Sequence, residues 1–531
     1  MARSGKGRLG GLGALFFLGT LGAIAFYVQQ QSVAPHEELE RKSATLVPEA
    51  TVVEETTVAL PWKDRLDLSA TTLVPIETAS PSPAPDSAAS AGMPPVPPPP
   101  PVGEAKPKVA LERARYVQDL NDGHRILLTL DPVLQDAALT IFRNHDVPYA
   151  GAVMLDLRDN AVLMLAGHSS MDPEVSPLEI VASAWAPAAS TFKLVTAAAL
   201  LAESSITPAT KACFNGGLHG IADHELKDDP ARDSRCETLS EAVAHSYNLV
   251  IGKLALRHLD QNELSEMARA FMFESEIPFE WTIERSPAHI PAGAEERAKV
   301  AAGFWNVDLS PIHGAVMASI LARDGLFQPP HIIEQVIGPD GRDLTPPRPT
   351  STRTLDREIA QAIGLMMVDT TRVGTARKSF RDGHGHPYIQ GIDVAGKTGS
   401  LTGKRKPYLN YNWFIGFAPA DRPEVAFAVL LANEPKWRIK AHYAARRFVQ
   451  IYLERREAIA KRRDVRITPQ GVVIPVRDPS GAIVRSATPP AWPELPLPTV
   501  PAAGDDATAP DRVPPLPPPP GALPKAPITP S

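Results

Sequence analysis

The chain has 531 residues and a formal net charge of −6 at pH 7, so its overall charge gives no reason to expect binding to nucleic acid. Its two cysteines exclude both a disulfide-dense scaffold and a four-cysteine metal site. Of the 56 prolines, 11 fall in residues 81–107 and 19 in residues 466–531. The remainder, about 350 residues, suffices for one large folded domain or two small ones.

The N-terminal segment predicts the compartment. Residues 9–28 are uncharged and mainly apolar, and three basic residues precede them. A helix of that length is about 30 Å long, which matches the hydrocarbon thickness of a bilayer. Because basic flanks stay on the cytoplasmic side, we expect residues 1–8 to be cytoplasmic, residues 9–28 to be a single-pass anchor in the inner (cytoplasmic) membrane, and the rest to be periplasmic. A cleaved signal peptide ending near Ala25 is the alternative.

Two segments flank the central region and have a different composition. Residues 29–108 and 464–531 carry the proline-rich stretches and show no sustained helical or strand period. Such segments bury too little apolar surface to offset the entropy lost on ordering the chain. We therefore expect disordered spacers around a folded domain at 109–463. A protein cut to about 108–465 should keep its activity. A polyproline ligand for a partner domain is an alternative interpretation of the tail.

Apolar runs at both ends of the central region predict strands. They lie at 151–157, 161–167, 391–401, 412–418 and 425–432. Short turn-forming segments separate the first two runs and the last two, which is typical of β-hairpins. Residues 439–463 show the pattern of a basic amphipathic helix. Strands at both ends with helices between them predict one sheet assembled from distant segments.

A serine and a lysine begin the helix predicted for residues 190–203. Ser190 and Lys193 are three residues apart, so the lysine amine can reach the serine hydroxyl. Backbone N–H groups at a helix N-terminus can also stabilise an oxyanion. By itself a Ser-x-x-Lys pattern is expected about once by chance in such a chain. A helix cap with a solvent-exposed lysine is therefore the alternative.

Two more motifs follow in order. Ser246 and Asn248 form a Ser-x-Asn pattern, and residues 397–400 read Lys-Thr-Gly-Ser on a predicted strand. Lysine and hydroxyl groups bind carboxylates, and glycine lets a substrate backbone lie close to the strand. Residues 391–398 also formally match a phosphate-binding loop. Apolar strands follow them rather than the helix that such a loop requires, which disfavours that interpretation.

Ser-x-x-Lys, Ser-x-Asn and Lys-Thr-Gly, in this order, are found in penicillin-binding proteins and class A β-lactamases. Over roughly residues 110–460 the sequence resembles the transpeptidase domain of penicillin-binding proteins. Further matching segments lie at 126–138, 307–325, 373–376 and 412–433. The resemblance implies an α/β (α+β) fold with a five-stranded antiparallel sheet flanked by helices. It also implies an all-α region, with the site in the cleft between the two.

The resemblance implies catalytic roles for five residues. Ser190 is the acylated nucleophile, and Lys193 is its base. Ser246 relays a proton to the leaving amine, and Asn248 holds the substrate peptide. Lys397 orients the terminal carboxylate of the substrate and, bound to that carboxylate, is expected to remain a cation. Its charge, together with burial, is expected to depress the pKa of Lys193.

The same resemblance implies substrate-binding roles for Thr398, Gly399 and Ser400. The Thr398 hydroxyl shares the terminal carboxylate with the lysine, and Gly399 lets the substrate backbone lie close. The backbone N–H groups of Ser190 and Ser400 form the oxyanion hole.

The chain departs from the family pattern in some positions. Ala188-Ala189 stands where the family usually has Pro-Gly immediately before the serine, and Ser400 replaces the commoner threonine. A β-lactamase would need a glutamate that activates the deacylating water. Glu284 lies at a plausible distance in sequence, but the surrounding Glu-x-x-Leu-Asn pattern is missing.

Neither a metal nor a cofactor is expected. Residues 382–386 contain an aspartate and two histidines, but a polar loop is the better interpretation. Two histidines between Cys213 and Cys236 do not match common zinc spacings. Both cysteines lie in the part expected to be exported, where thiols oxidise, so we predict a disulfide between them.

The resemblance implies a membrane-anchored D,D-transpeptidase that cross-links peptidoglycan stem peptides through an acyl-serine intermediate and binds penicillin. One alternative is a D,D-carboxypeptidase, and another is a penicilloyl-binding sensor or scaffold of cell-wall assembly. The expected partners are stem peptides, β-lactams and the inner membrane. A glycan polymerase is a further candidate partner, and nucleic acid is not expected.

Overall fold

The computed structural model describes residues 65–77, 110–217, 220–403, 408–435 and 438–476. The predicted anchor at 9–28 and most of the two predicted spacers lie outside these ranges. Within the part of the chain that is described, no helix is both long enough and apolar enough to cross a bilayer.

The described residues contain seventeen strands and twelve α-helices, together with three 3-10 helices and connecting loops. The strands are β1 Thr72–Pro75, β2 Ala114–Asp119, β3 Arg125–Leu128, β4 Tyr149–Asp156, β5 Ala161–Ser169, β6 Ala186–Pro187, β7 Lys211–Phe214, β8 Arg235–Thr238, β9 Asp308–Leu309, β10 Leu326–Phe327, β11 Ile333–Ile337, β12 Thr352–Arg353, β13 Ala395–Thr402, β14 Asn410–Ala418, β15 Val425–Asn433, β16 Val465–Ile467 and β17 Val473–Pro475. The helices are α1 Pro132–Asn144, α2 Pro177–Ala182, α3 Lys193–Ala202, α4 Asp223–Leu226, α5 Leu239–Ala244, α6 Asn248–His258, α7 Gln261–Ala270, α8 Ala294–Ala301, α9 Pro311–Ala322, α10 Arg357–Arg372, α11 Arg377–Phe380 and α12 Ala441–Arg463.

The central sheet joins the two ends of the domain. Its five strands are antiparallel and run in the order β13-β14-β15-β4-β5. The two predicted hairpins meet where β15 pairs with β4, with Val425 opposite Asp156 and Ala432 opposite Tyr149. The prediction of one sheet built from distant segments is therefore confirmed.

Helices cover both faces of this sheet, and β15 shows the consequence. All of its residues are buried. Phe427 and Val429 pack on one face with residues of α1 and α12, whereas Ala426 and Ala428 belong to the core on the other face, which includes α9. Because successive side chains of a strand point to opposite faces, a strand covered on both faces is apolar throughout.

The helical region between β5 and β13 is not purely helical. It contains a two-stranded antiparallel pair, β7 and β8, which we call the β7–β8 ribbon. Cys213 and Cys236 face each other across the ribbon and are joined by a disulfide bond. The expectation of an all-α region is wrong at this ribbon, because a long loop brings two short strands with few sequence signals together.

The folded domain begins earlier than the predicted boundary at 109. Residues 65–77 were expected to be part of a disordered spacer, yet β1 pairs with β2. The Leu66 side chain is buried, and its carbonyl accepts a hydrogen bond of 2.8 Å from Trp281 Nε1. The expectation is wrong here because a short apolar segment, which lacks a period of its own, completes a sheet formed by distant residues.

The C-terminal boundary also shifts. The predicted spacer at 464–531 includes β16 and β17, which pair with each other. Val465, Ile467 and Val473 pack in one buried cluster with residues of β2, β3 and β11. The Glu77 N–H donates a hydrogen bond of 2.9 Å to Val473 O, so the two flanking segments also contact each other. A protein cut to 108–465 would therefore lose both segments.

Replacing Leu66 with alanine tests this boundary. We expect the substitution to lower the free energy of unfolding by about 2–3 kcal/mol, because a buried leucine loses its packing. Glu77→Ala is the matched control: the Glu77 side chain is exposed and its backbone hydrogen bond remains, so a change below about 0.5 kcal/mol is expected. Urea denaturation measures both. Equal midpoints for Leu66→Ala and the parent protein would show that this segment does not belong to the fold.

Candidate active site

The predicted nucleophile lies in a tight turn before a helix. Ser190 is in a 3-10 turn, Ala189–Thr191, and α3 starts only at Lys193, so the helix begins three residues later than predicted. The turn is held by the Thr191 hydroxyl, which donates to Ala188 O over 2.6 Å. Trp413 Nε1 donates to Pro187 O over 2.9 Å, which ties the turn to the central sheet. The Ser190 side chain is therefore presented at a fixed position.

The Lys193 amine is the centre of the site. Its Nζ lies 3.0 Å from Ser190 Oγ, 3.1 Å from Ser246 Oγ, 2.9 Å from Ser246 O and 2.6 Å from Asn248 Oδ1. The last two atoms only accept hydrogen bonds. A neutral amine can donate its two hydrogens to them, which leaves its lone pair for the hydroxyl of Ser190 or Ser246. The amine can therefore serve as a base.

The Ser246 hydroxyl bridges two amines. Its Oγ lies 3.1 Å from Lys193 Nζ and 3.0 Å from Lys397 Nζ. Ser246 lies between α5 and α6 with a φ of 60°, in the left-handed region. Asn248 is the first residue of α6, so the chain direction at this turn places both side chains beside Lys193. A hydroxyl between two amines can pass a proton between neighbouring groups.

The third motif lies on the edge strand β13, beside Ser246. Lys397 Nζ donates to Ser246 Oγ and to Thr398 O, each over 3.0 Å. A Cβ at Gly399 would lie 3.3 Å from Ala188 O and 3.1 Å from Thr191 Cγ2, so this glycine lets the strand lie close to the nucleophile's turn. The phosphate-loop interpretation is wrong, because a strand and then β14 occupy the positions where it requires a loop and a helix.

Burial changes the charge of both lysines. The side chains of Lys193 and Lys397 are fully buried. Burial and then the nearby Lys397 cation hold the pKa of Lys193 well below its usual range. Burial lowers the pKa of Lys397 to about 7. The expectation that Lys397 remains a cation when it binds a carboxylate stays a prediction.

Several supporting residues were missed by sequence reasoning. Thr375 Oγ1 lies 2.6 Å from Thr398 Oγ1, and Asn412 Nδ2 donates to Ser400 Oγ over 2.9 Å. Both belong to segments noted for their resemblance, 373–376 and 412–433, but no residue signal singled them out. A Cβ at Gly303, with a φ of +89°, would lie only 2.4 Å from Ala189 O. No sequence signal identifies that contact.

The other residues considered in the sequence have different surroundings. The Glu284 carboxylate accepts a hydrogen bond of 2.9 Å from Ala184 N, so it holds the chain that leads to the nucleophile. The Asp382 carboxylate accepts hydrogen bonds from the backbone N–H groups of His384 and His386 in an exposed loop. In the described ranges, no group of three or more His, Cys, Asp or Glu side chains could hold a metal ion.

A match to a known family agrees with this geometry. The model of the penicillin-binding protein transpeptidase domain matches residues 150–452, more than half of the chain. The chain belongs to this family. The matched range includes all three motifs and, apart from Tyr149 at the start of β4, the five strands of the central sheet, so the family assignment applies to the whole site.

Two curated relatives illustrate the sequence similarity. The peptidoglycan D,D-transpeptidase PbpA of Mycolicibacterium smegmatis is 26% identical over 346 residues, which cover 59% of this chain and 68% of that protein. Stage V sporulation protein D of Bacillus subtilis is 25% identical over 359 residues, which cover 64% of this chain and 54% of that protein.

Solved structures show the shared fold. The crystal structure of PBPA from Mycobacterium tuberculosis superimposes with a TM-score of 0.52 at 23% identity, covering 62% of this chain and 83% of that one. The imipenem acyl-enzyme complex of the same penicillin-binding protein A gives 0.53 at 23% identity, with 62% and 80% covered. These likenesses confirm the predicted transpeptidase-domain fold.

The residue before the nucleophile adopts a conformation that favours glycine. Ala189 has a φ of 50°, whereas Ala188 has a φ of −59°. Ala189→Gly should raise the free energy of unfolding by up to about 1 kcal/mol, because the strain it relieves exceeds the entropy that it adds to the unfolded chain. Ala188→Gly, the matched control, should lower it by about 0.5–1 kcal/mol. Chemical denaturation measures both. A loss of stability in Ala189→Gly would contradict the strained turn.

Proposed function

We propose that this chain is a serine-type D-Ala-D-Ala transpeptidase that cross-links peptidoglycan stem peptides through an acyl-serine intermediate. β-Lactams acylate the same serine. The observation that carries the proposal is the buried Lys193 amine, 3.0 Å from Ser190 Oγ, in a chain of the penicillin-binding transpeptidase family. The relative from M. smegmatis, named a peptidoglycan D,D-transpeptidase, supports the reaction class.

Acylation begins with proton transfer. The neutral Lys193 amine accepts the proton of the Ser190 hydroxyl, and Oγ attacks the carbonyl carbon between the two terminal D-alanines. Negative charge develops on the carbonyl oxygen, and the backbone N–H groups of Ser190 and Ser400 stabilise it. Asn412, which donates to the Ser400 hydroxyl, helps to fix the strand that supplies one of these groups.

The leaving group then takes up a proton. The Lys193 ammonium donates it through the Ser246 hydroxyl, which lies 3.1 Å from its Nζ, to the nitrogen of the departing D-alanine. The C–N bond breaks, and the donor peptide remains as an ester on Ser190. Asn248 holds the peptide in the cleft while the amine of a second stem peptide replaces the lost amino acid.

The terminal carboxylate of the substrate is recognised on β13. Lys397 lies beside Ser246, and the Thr398 hydroxyl is 2.6 Å from Thr375 Oγ1, so this strand presents an amine and hydroxyls together. A bound carboxylate favours the ammonium form and raises the pKa of Lys397 from its value of about 7 in the free protein. Substrate binding therefore restores the cation that the resemblance implies.

The location of the enzyme is part of the proposal. The uncharged segment 9–28 with its basic flank supports a single-pass anchor in the inner membrane, with the domain on the periplasmic side. The disulfide between Cys213 and Cys236 suits an oxidising compartment. A membrane-bound glycan polymerase would be the natural partner, because it would supply the strands whose peptides are cross-linked.

Substitution of the nucleophile and its base tests the mechanism. Ser190→Ala and Lys193→Ala should each abolish covalent labelling by fluorescent penicillin. The double substitution should cost no more than either one, because the two residues act as a unit. Lys299→Ala, which removes a surface lysine paired with Asp223, should label normally. A stable penicilloyl adduct in Ser190→Ala would show that the site is wrongly assigned.

The products distinguish the possible activities. A pentapeptide donor should give a cross-linked dimer when an acceptor amine is present, as detected by mass spectrometry. Release of free D-alanine with water as the sole acceptor would identify a D,D-carboxypeptidase. Acylation by penicillin without turnover of any peptide would identify a sensor or scaffold.

The pH dependence of acylation tests the charge coupling between the lysines. The reaction needs neutral Lys193, so the rate should fall at low pH, as that amine gains a proton. Lys397→Met removes a nearby positive charge, which raises the pKa of Lys193 and should move this acid limb to higher pH. Lys378→Met, at an exposed position, should leave the limb in place. An acid limb that moves to lower pH, or stays fixed, in Lys397→Met would contradict the coupling.

A further inference from the structure

The turn that carries Ser246 is strained and needs support. Its φ of 60° lies in the left-handed region, which costs a serine about 1–2 kcal/mol. Such a conformation persists only where the surroundings hold it. Lys193 Nζ donates to the Ser246 carbonyl from inside the site, and Tyr247 N donates to Ala242 O over 3.0 Å. The Tyr247 side chain makes further contacts with the β7–β8 ribbon.

Arg235 of the β7–β8 ribbon provides that support. Its guanidinium carbon lies 4.6 Å from the ring centroid of Tyr247, the residue between Ser246 and Asn248, and its Nη2 donates to the Tyr247 hydroxyl. Glu237 accepts a hydrogen bond of 2.7 Å from Arg235 Nε, which fixes the plane of the guanidinium. The guanidinium lies over the face of the Tyr247 ring and also hydrogen-bonds to the ring's hydroxyl. Together these two contacts restrict both the tilt and the translation of the ring.

Lys253 ties the ribbon to the same helix at a second point. Lys253 lies on α6, which begins at Asn248, and its side chain is fully buried. Its Nζ donates to Cys213 O over 3.0 Å and to the Asp233 carboxylate. A buried ammonium is tolerated only where it is paired, so this contact strongly resists separation of the helix from the ribbon.

The disulfide links the two points of contact. Cys213 supplies the carbonyl that Lys253 binds, and Cys236 is the immediate neighbour of Arg235. The two cysteines are a cross-strand pair of the ribbon. The covalent bond therefore prevents the strands from separating and keeps both contacts in register with α6.

We propose that Arg235 and Lys253 are positioning residues for the acylation step. Through the disulfide-closed ribbon they hold Ser246 and Asn248 against the Lys193 amine. Loss of this support lets the turn relax and admits water to the amine, which raises the pKa of Lys193 and slows acylation. The kinetic part of this inference rests on the proposed function; the structural part does not.

Direct binding of a substrate carboxylate is the alternative role for Arg235, because its side chain is exposed. Its guanidinium is already hydrogen-bonded to Glu237 and to the Tyr247 hydroxyl, which favours positioning over substrate binding. The two roles change different constants. Loss of a substrate contact changes the non-covalent dissociation constant, whereas loss of a positioning contact changes the acylation rate constant.

The experiment compares Arg235→Ala with Arg232→Ala in penicillin acylation. Arg232 is an exposed arginine on the loop that leads into β8, with only a 3.8 Å pair to Asp229, and its substitution should change nothing. In Arg235→Ala we expect the acylation rate constant to fall about 10- to 100-fold with the non-covalent dissociation constant unchanged. The acid limb of the pH profile should move to higher pH. An unchanged rate constant, or a change in the dissociation constant alone, would overturn the proposal.

A second arm tests the disulfide. Dithiothreitol reduces Cys213 and Cys236 to thiols as it is oxidised to its cyclic disulfide. Reduction of the parent protein should also lower the acylation rate constant about 10- to 100-fold and move the acid limb of the pH profile to higher pH. Reduction of Arg235→Ala should add little, because both changes act through the same turn. If the effects of Arg235→Ala and of disulfide reduction on the acylation rate were fully additive, the ribbon would not act as one support.

Hydrogen exchange distinguishes a failure of the positioning role from a failure of the proposed function. Backbone amides of residues 245–249 should exchange at least several-fold faster in Arg235→Ala than in Arg232→Ala, whatever the activity of the protein. Failure of the parent protein to be acylated, with this difference present, would refute the proposed function and leave the positioning role supported. Normal acylation of the parent with equal exchange in the two variants would refute the positioning role alone.

Discussion

The charge state of one buried amine governs this structure. A lysine in water is protonated at neutral pH and has no lone pair for the Ser190 proton. The fold therefore removes Lys193 from water and places a second amine, Lys397, close enough to disfavour its protonation. Burial of two like-charged groups is unfavourable for folding, so the surrounding structure has to stabilise the arrangement.

Two residues with strained backbone conformations lie at the same place. Ala189, which immediately precedes the Ser-x-x-Lys motif, has a φ of 50°. Ser246, which belongs to the Ser-x-Asn motif, has a φ of 60°, and both values are left-handed. The hydroxyls of Ser190 and Ser246 both lie within 3.1 Å of the Lys193 amine. The central sheet, the hydrogen bond from Trp413 to Pro187 O and the contacts of α6 hold these conformations, so the stability of the core maintains a locally unfavourable site.

Elements outside the site hold the turn at Ser246 and cover the central sheet. The β7–β8 ribbon contacts the turn at Tyr247, and the long helix α12 covers the face of the sheet opposite the one that α9 covers. Outside the matched family range, β1 is the edge strand of a four-stranded sheet with β2, β3 and β11, and β16 pairs with β17. A β-bridge between Ile76 and Val473 joins the two flanking segments. The proposed catalytic residues are thus central, while the domain's margins are formed by short segments from outside the predicted boundaries.

Local patterns determined much of this protein, namely the strands at both ends, α12 and the order of the three motifs. The reason is that apolar runs, helical period and motif spacing are properties of neighbouring residues. The three motifs also contain the residues that hydrogen-bond to the Lys193 amine, which are Ser190, Ser246 and Asn248. The local patterns missed β1 and β16, which are too short to show a period and exist only by pairing, and they missed Gly303, Asn412 and Thr375, whose contacts join residues distant in sequence. The pKa of Lys397 and the left-handed turn at Ser246 were likewise decided by tertiary structure, because desolvation and strain depend on what the whole fold packs around a group rather than on the residues beside it.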